Sequence, residues 1–196
     1  MARIAGVPVS RAGLRVKLIY FFTRRNLVRL TGRAPQRVIE PLEIYAHVPG
    51  LLRGYGSLEQ ATAKLRRLDW RLQVLAELKA TTLIHCEFCI DLASQIARRS
   101  GLSDQQLLAL PRYRDSDLFT DLEKLVMDYA VGMTRTPAQV PQTLFDQMRE
   151  HLDEGQLVEL THHIALENLR GRFNVAFGVG AAGFSEGMVC AVPDSA

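Results

Sequence analysis

The sequence predicts an all-α protein, on three observations. Apolar residues recur at helical spacing through almost every segment, helix-boundary residues fall between those segments, and no alternating strand pattern survives scrutiny. There is no internal repeat, no low-complexity tract and no composition shift of the kind that marks a linker.

The elements follow in order. Leu14, Leu18, Phe21 and Phe22 share one face of a first helix at about 11–31, with Arg11, Arg15 and Arg29 displaced from it. Gly32 and Pro35 interrupt the chain, and a second helix fits 36–46, ended by His47, Val48, Pro49 and Gly50. Ser57 with Gln60 reads as a capping box for a helix at about 58–66. The next helix starts near Asp69, with Leu68, Leu72, Leu75 and Ala76 on its buried stripe. A segment at about 84–99 stops at Ser100 and Gly101. Ser103 with Gln106 caps a short helix that ends before Pro111. Leu118, Leu122, Leu125, Val126, Tyr129 and Met133 mark an amphipathic helix at about 117–133. Pro141 sits near the first turn of another, at about 141–152, where its missing N–H costs little. A last long helix, about 155–178, runs from Gly155 into the GVGAAG stretch.

Length and composition narrow the function classes. At 196 residues the chain fits one domain with a substantial core, and its 47% apolar and 23% charged residues are ordinary for a globular protein. No run of about eighteen apolar residues is present to span a membrane, and the N-terminus lacks a compact signal-peptide core, so a cytoplasmic location is expected. Residues 1–37 carry nine Lys or Arg and no acid, whereas the other 159 residues carry fifteen Lys or Arg against twenty-one Asp or Glu, a net of −6. Such a basic arm could meet nucleic acid, an anionic surface or an acidic subunit face. Without recognition motifs nucleic acid is not an expected partner, and packing within the protein is the blander expectation. The expected organisation is a basic helical arm at 1–37, a helical domain at 38–182 and a tail at 183–196.

The informative segment is His85-Cys86-Glu87-Phe88-Cys89. In a reducing compartment a close Cys pair is more often catalytic or metal-binding than structural. Cysteines three apart on a helix lie close enough to form a disulfide after modest rotamer change. A helix beginning just before Cys86 would stabilise a thiolate through its unpaired N–H groups and dipole. His85 could add positive charge or accept the proton. The second thiol would trap a sulfenic acid as a disulfide, and an external dithiol would restore the pair. Two alternatives stand beside this. Structural zinc would need about four ligands, drawn from His85, His162 or His163, and no second CxxC exists. The pair could also be two buried small hydrophobes. Cys190 has no local partner and reads as structural.

The last helix places His163, Glu167, Arg170 and Asn174 along one side, at spacings of four, three and four. They could form a relay, a subunit contact or a solvated face. A His163–Glu167 pair could tune a nearby thiol if its helix packs against the CxxC helix.

A helix entering CEFCIDLASQIARRSG, then LSDQQLLAL, an amphipathic helix and TRTPAQVPQTLFDQMREHLDEGQLVELT resemble the carboxymuconolactone decarboxylase and AhpD-like alkylhydroperoxidase family over roughly residues 38–180. The resemblance implies an AhpD-like all-α bundle that assembles into homo-oligomers. It implies peroxidase or disulfide-reductase activity at the Cys pair, without metal or organic cofactor, on a hydroperoxide or disulfide substrate with an external dithiol reductant. It also implies that Cys89 attacks the peroxide while Cys86 resolves and exchanges with the reductant. Peroxidatic members carry a His four residues after the second Cys and a Glu twelve before the first; this chain has Ala93 and Val74. Glu77 and His85 are the local substitutes, with His163 and Glu167 as a possible relay. A non-redox decarboxylase or isomerase and a non-catalytic oligomeric protein are the alternative functions on the same fold.

Overall fold

The computed structural model describes residues 2–194, and among them it is helical throughout, with no strand. The helices are α1 Leu14–Thr31, α2 Glu40–Tyr45, α3 Pro49–Thr62, α4 Trp70–Ile84, α5 Glu87–Arg99, α6 Asp104–Ala109, α7 Asp121–Thr134, α8 Gln142–His151 and α9 Glu154–Phe177, with a 3-10 turn at Leu110–Asp115 before α7.

Helix α4 is the hub, packed against α5, α7 and α9. It starts at Asp69, whose side chain accepts the N–H groups of Arg71 and Leu72. Two core layers diverge from it. Val74, Leu75 and Leu78 join Ile90, Leu107, Leu110, Met127 and Val131 on the α5, α6 and α7 side. Leu72, Ala76 and Ala80 join Val126, Met148, Leu160 and Ile164 on the α7, α8 and α9 side. Full reciprocal capping boxes start α6 (Ser103 with Gln106), α7 (Thr120 with Glu123) and α9 (Asp153 with Gln156).

A third layer holds the cysteines. Cys86, Phe88 and Cys89 cluster with Val16 and Tyr20 of α1, with Leu42 and Tyr45 of α2, and with Val179 and Phe184 after α9. The basic arm therefore docks on its own subunit. Arg3 N–H donates to Phe177 (2.7 Å), Val7 N–H to Glu43 (2.8 Å) and the Gln95 amide to the Thr31 carbonyl (3.0 Å). The C-terminal segment is fastened as well. Asp91 Oδ2 accepts the N–H groups of Ala182, Gly183 and Phe184 at 2.7–2.9 Å, and Oδ1 accepts that of Ser185 at 2.6 Å. Farther on, the buried Lys79 ammonium meets Asp194 at 2.6 and 2.8 Å. Burial still holds the Lys79 pKa below its ordinary value.

Four expectations are corrected. Ser57 caps nothing: α3 begins at Pro49, and Ser57 lies inside it with its hydroxyl donating to Arg53. Leu118 precedes α7, which starts at Asp121, and α2 is shorter than 36–46. The GVGAAG stretch lies beyond α9, which Gly178 ends in the left-handed conformation at φ 65°. Leu14, Leu18, Phe21 and Phe22 do share one face of α1, and that face points outward at 76, 49, 59 and 58% exposure, while α1 buries Val16 and Tyr20.

Candidate functional site

The cysteine pair sits where α4 hands over to α5. His85 ends α4 with a left-handed backbone (φ 59°, ψ 37°), which turns the chain so that Cys86 becomes the capping residue of α5. Cys86 thus lies just outside the helix rather than on its face, and its Sγ accepts the N–H of Cys89 at 3.3 Å. One residue later the backbone bond Ile90 N–H to Cys86 carbonyl (2.8 Å) begins the regular helix.

Helix α9 supplies the other wall. Gly171 permits a close approach of α9 to the end of α4: a methyl group there would stand 3.0 Å from Ile84. Phe173 stacks on Tyr45 with ring centroids 3.9 Å apart, and Tyr45 stacks on Tyr55 at 4.7 Å. Held by these two contacts, Asn174 directs its Nδ2 to Cys89 Sγ (3.4 Å) and Cys86 Sγ (3.7 Å).

Between α4 and α9 runs a buried polar ladder. His163 Nδ1 pairs with Glu77 Oε1 at 2.8 Å, Thr81 donates to Glu167 Oε1 at 2.7 Å, and Arg170 donates to Glu167 Oε2 at 3.2 Å. The Arg170 guanidinium also lies 3.7 Å from Glu77 and forks onto Glu59 of α3 at 2.6 and 2.8 Å. His163, Glu167 and Asn174 are all buried, so this side of α9 is not a solvated face. His163 Nε2 is buried with no hydrogen-bond partner among the described residues.

Electrostatics separates the two thiols. A hydrogen bond from the Cys89 thiol, with the Cys89 N–H and the Asn174 amide, outweighs burial and holds the Cys86 pKa below that of a free thiol. The same thiol–thiol hydrogen bond, then burial, then the Glu167 carboxylate push Cys89 far up. Burial likewise raises Glu167, against the pull of Arg170. The arrangement favours a thiolate on Cys86 and a proton on Cys89.

The sequence-derived candidates divide into two groups. Cys86 and Cys89 meet Asn174, and Glu77, His163 and Glu167 meet one another through Arg170. His85 stands apart with an exposed ring, and its local contribution is the backbone turn. Val74 and Ala93 pack in the apolar layer between α4 and α5. Asn174 was visible in the sequence only as the last polar residue of the α9 stripe. Among the described residues no group of three or more His, Cys, Asp or Glu is placed to hold a metal ion. Both sulfurs are buried, Cys86 at 1% and Cys89 at 6% exposure. Two surface cavities of about 390 and 440 Å³ are lined by other residues, the second by Ile84 and Val175 beside the site.

This helical bundle has the AhpD-core fold. The chain belongs to the carboxymuconolactone decarboxylase family: the family's sequence profile matches residues 49–131, from α3 through most of α7. The protein YnjA of Escherichia coli is 34% identical over 162 residues, spanning 80% of this chain and 84% of YnjA. Among solved structures, the debrominase Bmp8 superposes with a TM-score of 0.76 at 18% identity, covering 92% of each chain. A peroxidase-related protein from Ralstonia eutropha, described as an alkylhydroperoxidase AhpD core, superposes at 0.71 with 15% identity over 92% of each. These two likenesses concern the fold. The family includes enzymes.

Proposed function

We propose that the protein is a thiol-dependent oxidoreductase that reduces disulfides or hydroperoxides with Cys86 and Cys89. One placement supports this above all: two thiols at the start of α5 that share the Asn174 amide, one of them the capping residue whose sulfur accepts the N–H of the other. In disulfide exchange the Cys86 thiolate attacks one substrate sulfur, expelling the other as thiolate and forming a mixed disulfide. Cys89 then loses its proton and attacks Cys86 Sγ, releasing the second substrate thiolate and closing the Cys86–Cys89 disulfide. The two electrons that the pair loses are those the substrate gains. With a hydroperoxide, the thiolate takes the terminal oxygen and the leaving alkoxide is protonated to an alcohol. The sulfenic acid then condenses with the second thiol to give the disulfide and water. An external dithiol reverses the pair's oxidation by two exchanges.

The hydrogen bonding at Cys86 supports Cys86 as the attacking sulfur, the opposite order to the one the resemblance implies for peroxide. Glu167 is the proposed proton acceptor for Cys89, being a buried carboxyl with a raised pKa whose charge is felt at both sulfurs. Glu77 and His163 extend that network between α4 and α9, while His85 enters through its backbone. A dithiol cycle of this kind suits the reducing cytoplasm. Subunit assembly belongs to the same proposal, with the outward face of α1 as the contact. No helix among the described residues is long and apolar enough to cross a membrane.

Thiol titration of the reduced protein before and after exposure to a hydroperoxide or a small disulfide tests the proposal. Two of the three thiols should disappear, and Cys86→Ser should abolish the loss. Unchanged thiols with both substrates would refute it.

Burial of both sulfurs favours a second reading, a non-catalytic oligomeric protein in which the pair is packing. That reading expects full stability and assembly in the Cys86→Ala, Cys89→Ala double variant, together with inert thiols in the parent.

A further inference from the structure

We propose that Asn174 is the positioning residue of the thiol pair: its buried carboxamide donates to both sulfurs and stabilises negative charge on the pair. The catalytic meaning of this rests on the oxidoreductase reading, but the geometry stands without it. The Asn174 amide carries two N–H donors and has two sulfurs within reach, at 3.4 and 3.7 Å. The residue is 3% exposed, so water does not compete for these donors. Its position is fixed from three directions. Its backbone carbonyl accepts the Val179 N–H at 2.9 Å, Phe173 is stacked on Tyr45, and Gly171 sets the approach to Ile84.

The choice of an amide has a chemical consequence. A donor to sulfur is stronger when the sulfur is charged, so Asn174 favours thiolate over thiol. Unlike an imidazole or carboxyl, however, an amide neither takes up nor releases a proton in the working pH range. Val74 and Ala93 fill the positions at which the resemblance expects a titrating Glu and His. Asn174, reaching in from α9, supplies charge stabilisation without proton transfer, and the proton must leave by another group.

The thiolate can be followed directly in the full-length reduced protein. Its ultraviolet absorbance and the iodoacetamide alkylation rate of Cys86, mapped by mass spectrometry, are measured against pH. In Asn174→Ala the midpoint for Cys86 should rise by about one unit, the size expected for losing a hydrogen bond to a charged acceptor. Asn174→Asp keeps the shape and places a carboxylate beside the sulfurs, so its midpoint should rise further. Either variant folding as the parent does, with an unmoved Cys86 midpoint, overturns the proposal. A purely structural role would lower thermal stability without shifting the titration. A shifted midpoint in a protein that reduces neither disulfide nor hydroperoxide would leave Asn174's role standing while the oxidoreductase reading failed.

Discussion

Arg170 and Glu59 form a two-pronged ion pair, at 2.6 and 2.8 Å, that ties α9 to α3 across the roof of the polar ladder. The same guanidinium faces Glu167 and Glu77, so one cation draws together three carboxylates, of which Glu167 acts on the thiols. Replacing Arg170 with Leu leaves those carboxylates uncompensated in a largely dry setting. The expected loss is about 3 kcal/mol, the lower end for breaking a buried pair because both side chains keep some exposure. Urea unfolding measures it, and an unchanged midpoint would show the ladder to be energetically idle.

The Glu59 carboxyl gives that pair a pH dependence. Burial pushes its pKa up, but Arg170 and the Tyr55 hydrogen bond more than offset this, and the folded value lies below the ordinary carboxylate one. A carboxyl lowered on folding contributes stability that is complete above its unfolded pKa, about 4.3. That stability is lost as pH falls through the folded value. Glu59→Gln should therefore be less stable than the parent at pH 7 and lose less on acidification. Thermal melts across pH 3–7 would reveal parallel curves if the expectation is wrong.

Asp91 is the clamp of the C-terminal segment, accepting four consecutive backbone N–H groups from 182–185. Asp91→Ala removes all four acceptor contacts at once. The segment can then find water, so the expected cost is about 2–3 kcal/mol rather than the full sum for four orphaned donors. Limited proteolysis should cut within 178–194 faster than in the parent, while α4 and α7 stay protected. Equal cleavage rates would mean that the remaining contacts, among them Lys79–Asp194 and the Ala191 N–H to Ser94 Oγ bond, retain the segment without the Asp91 carboxylate.

His85 separates a backbone role from a chemical one. Its φ of 59° is a conformation that an L side chain adopts at a cost of about 1–2 kcal/mol and glycine adopts freely. His85→Gly should fold with equal or slightly higher stability, the gain being reduced by the greater freedom of glycine in the unfolded chain. Cys86 alkylation at pH 7 should be unchanged. A marked fall in alkylation at unchanged stability would restore the imidazole as the proton partner.

Much of this fold was legible because its helix ends are chemically explicit. Asp69, the Ser103–Gln106 box and the Ser100–Gly101 stop all sit where their side chains or backbone satisfy helix-end groups. Ser57 misled for the same reason, since a Ser followed three residues later by Gln is also compatible with a helix interior, where the hydroxyl turns back to Arg53. The thiol pair was legible as a pair, but the charge on Cys86 depends on the αL turn at His85 and on Asn174 arriving from another helix. Neither has a local sequence signature. Periodicity gathered Leu14, Leu18, Phe21 and Phe22 onto one face of α1 without saying what that face meets.

That face supplies the last prediction. Leu14, Leu18 and Phe21–Phe22 fall on successive turns, while the opposite side of α1 is already committed to the cysteine layer. An apolar stripe left open on a docked helix is the usual mark of a contact with another molecule. The arm carries nine positive charges and the remainder of the chain a net of −6, so a second copy offers opposite charge to the flanking Arg15, Lys17 and Arg25. Phe21→Glu combined with Leu18→Glu places two carboxylates in the stripe without touching Val16 or Tyr20. Light scattering should show the parent as an oligomer and the double variant as a monomer with the same helical circular dichroism. Because charges contribute at the rim, 0.5 M salt should weaken the parent assembly without abolishing it. A parent that is already monomeric, or a variant that assembles as before, would move the contact elsewhere on the molecule.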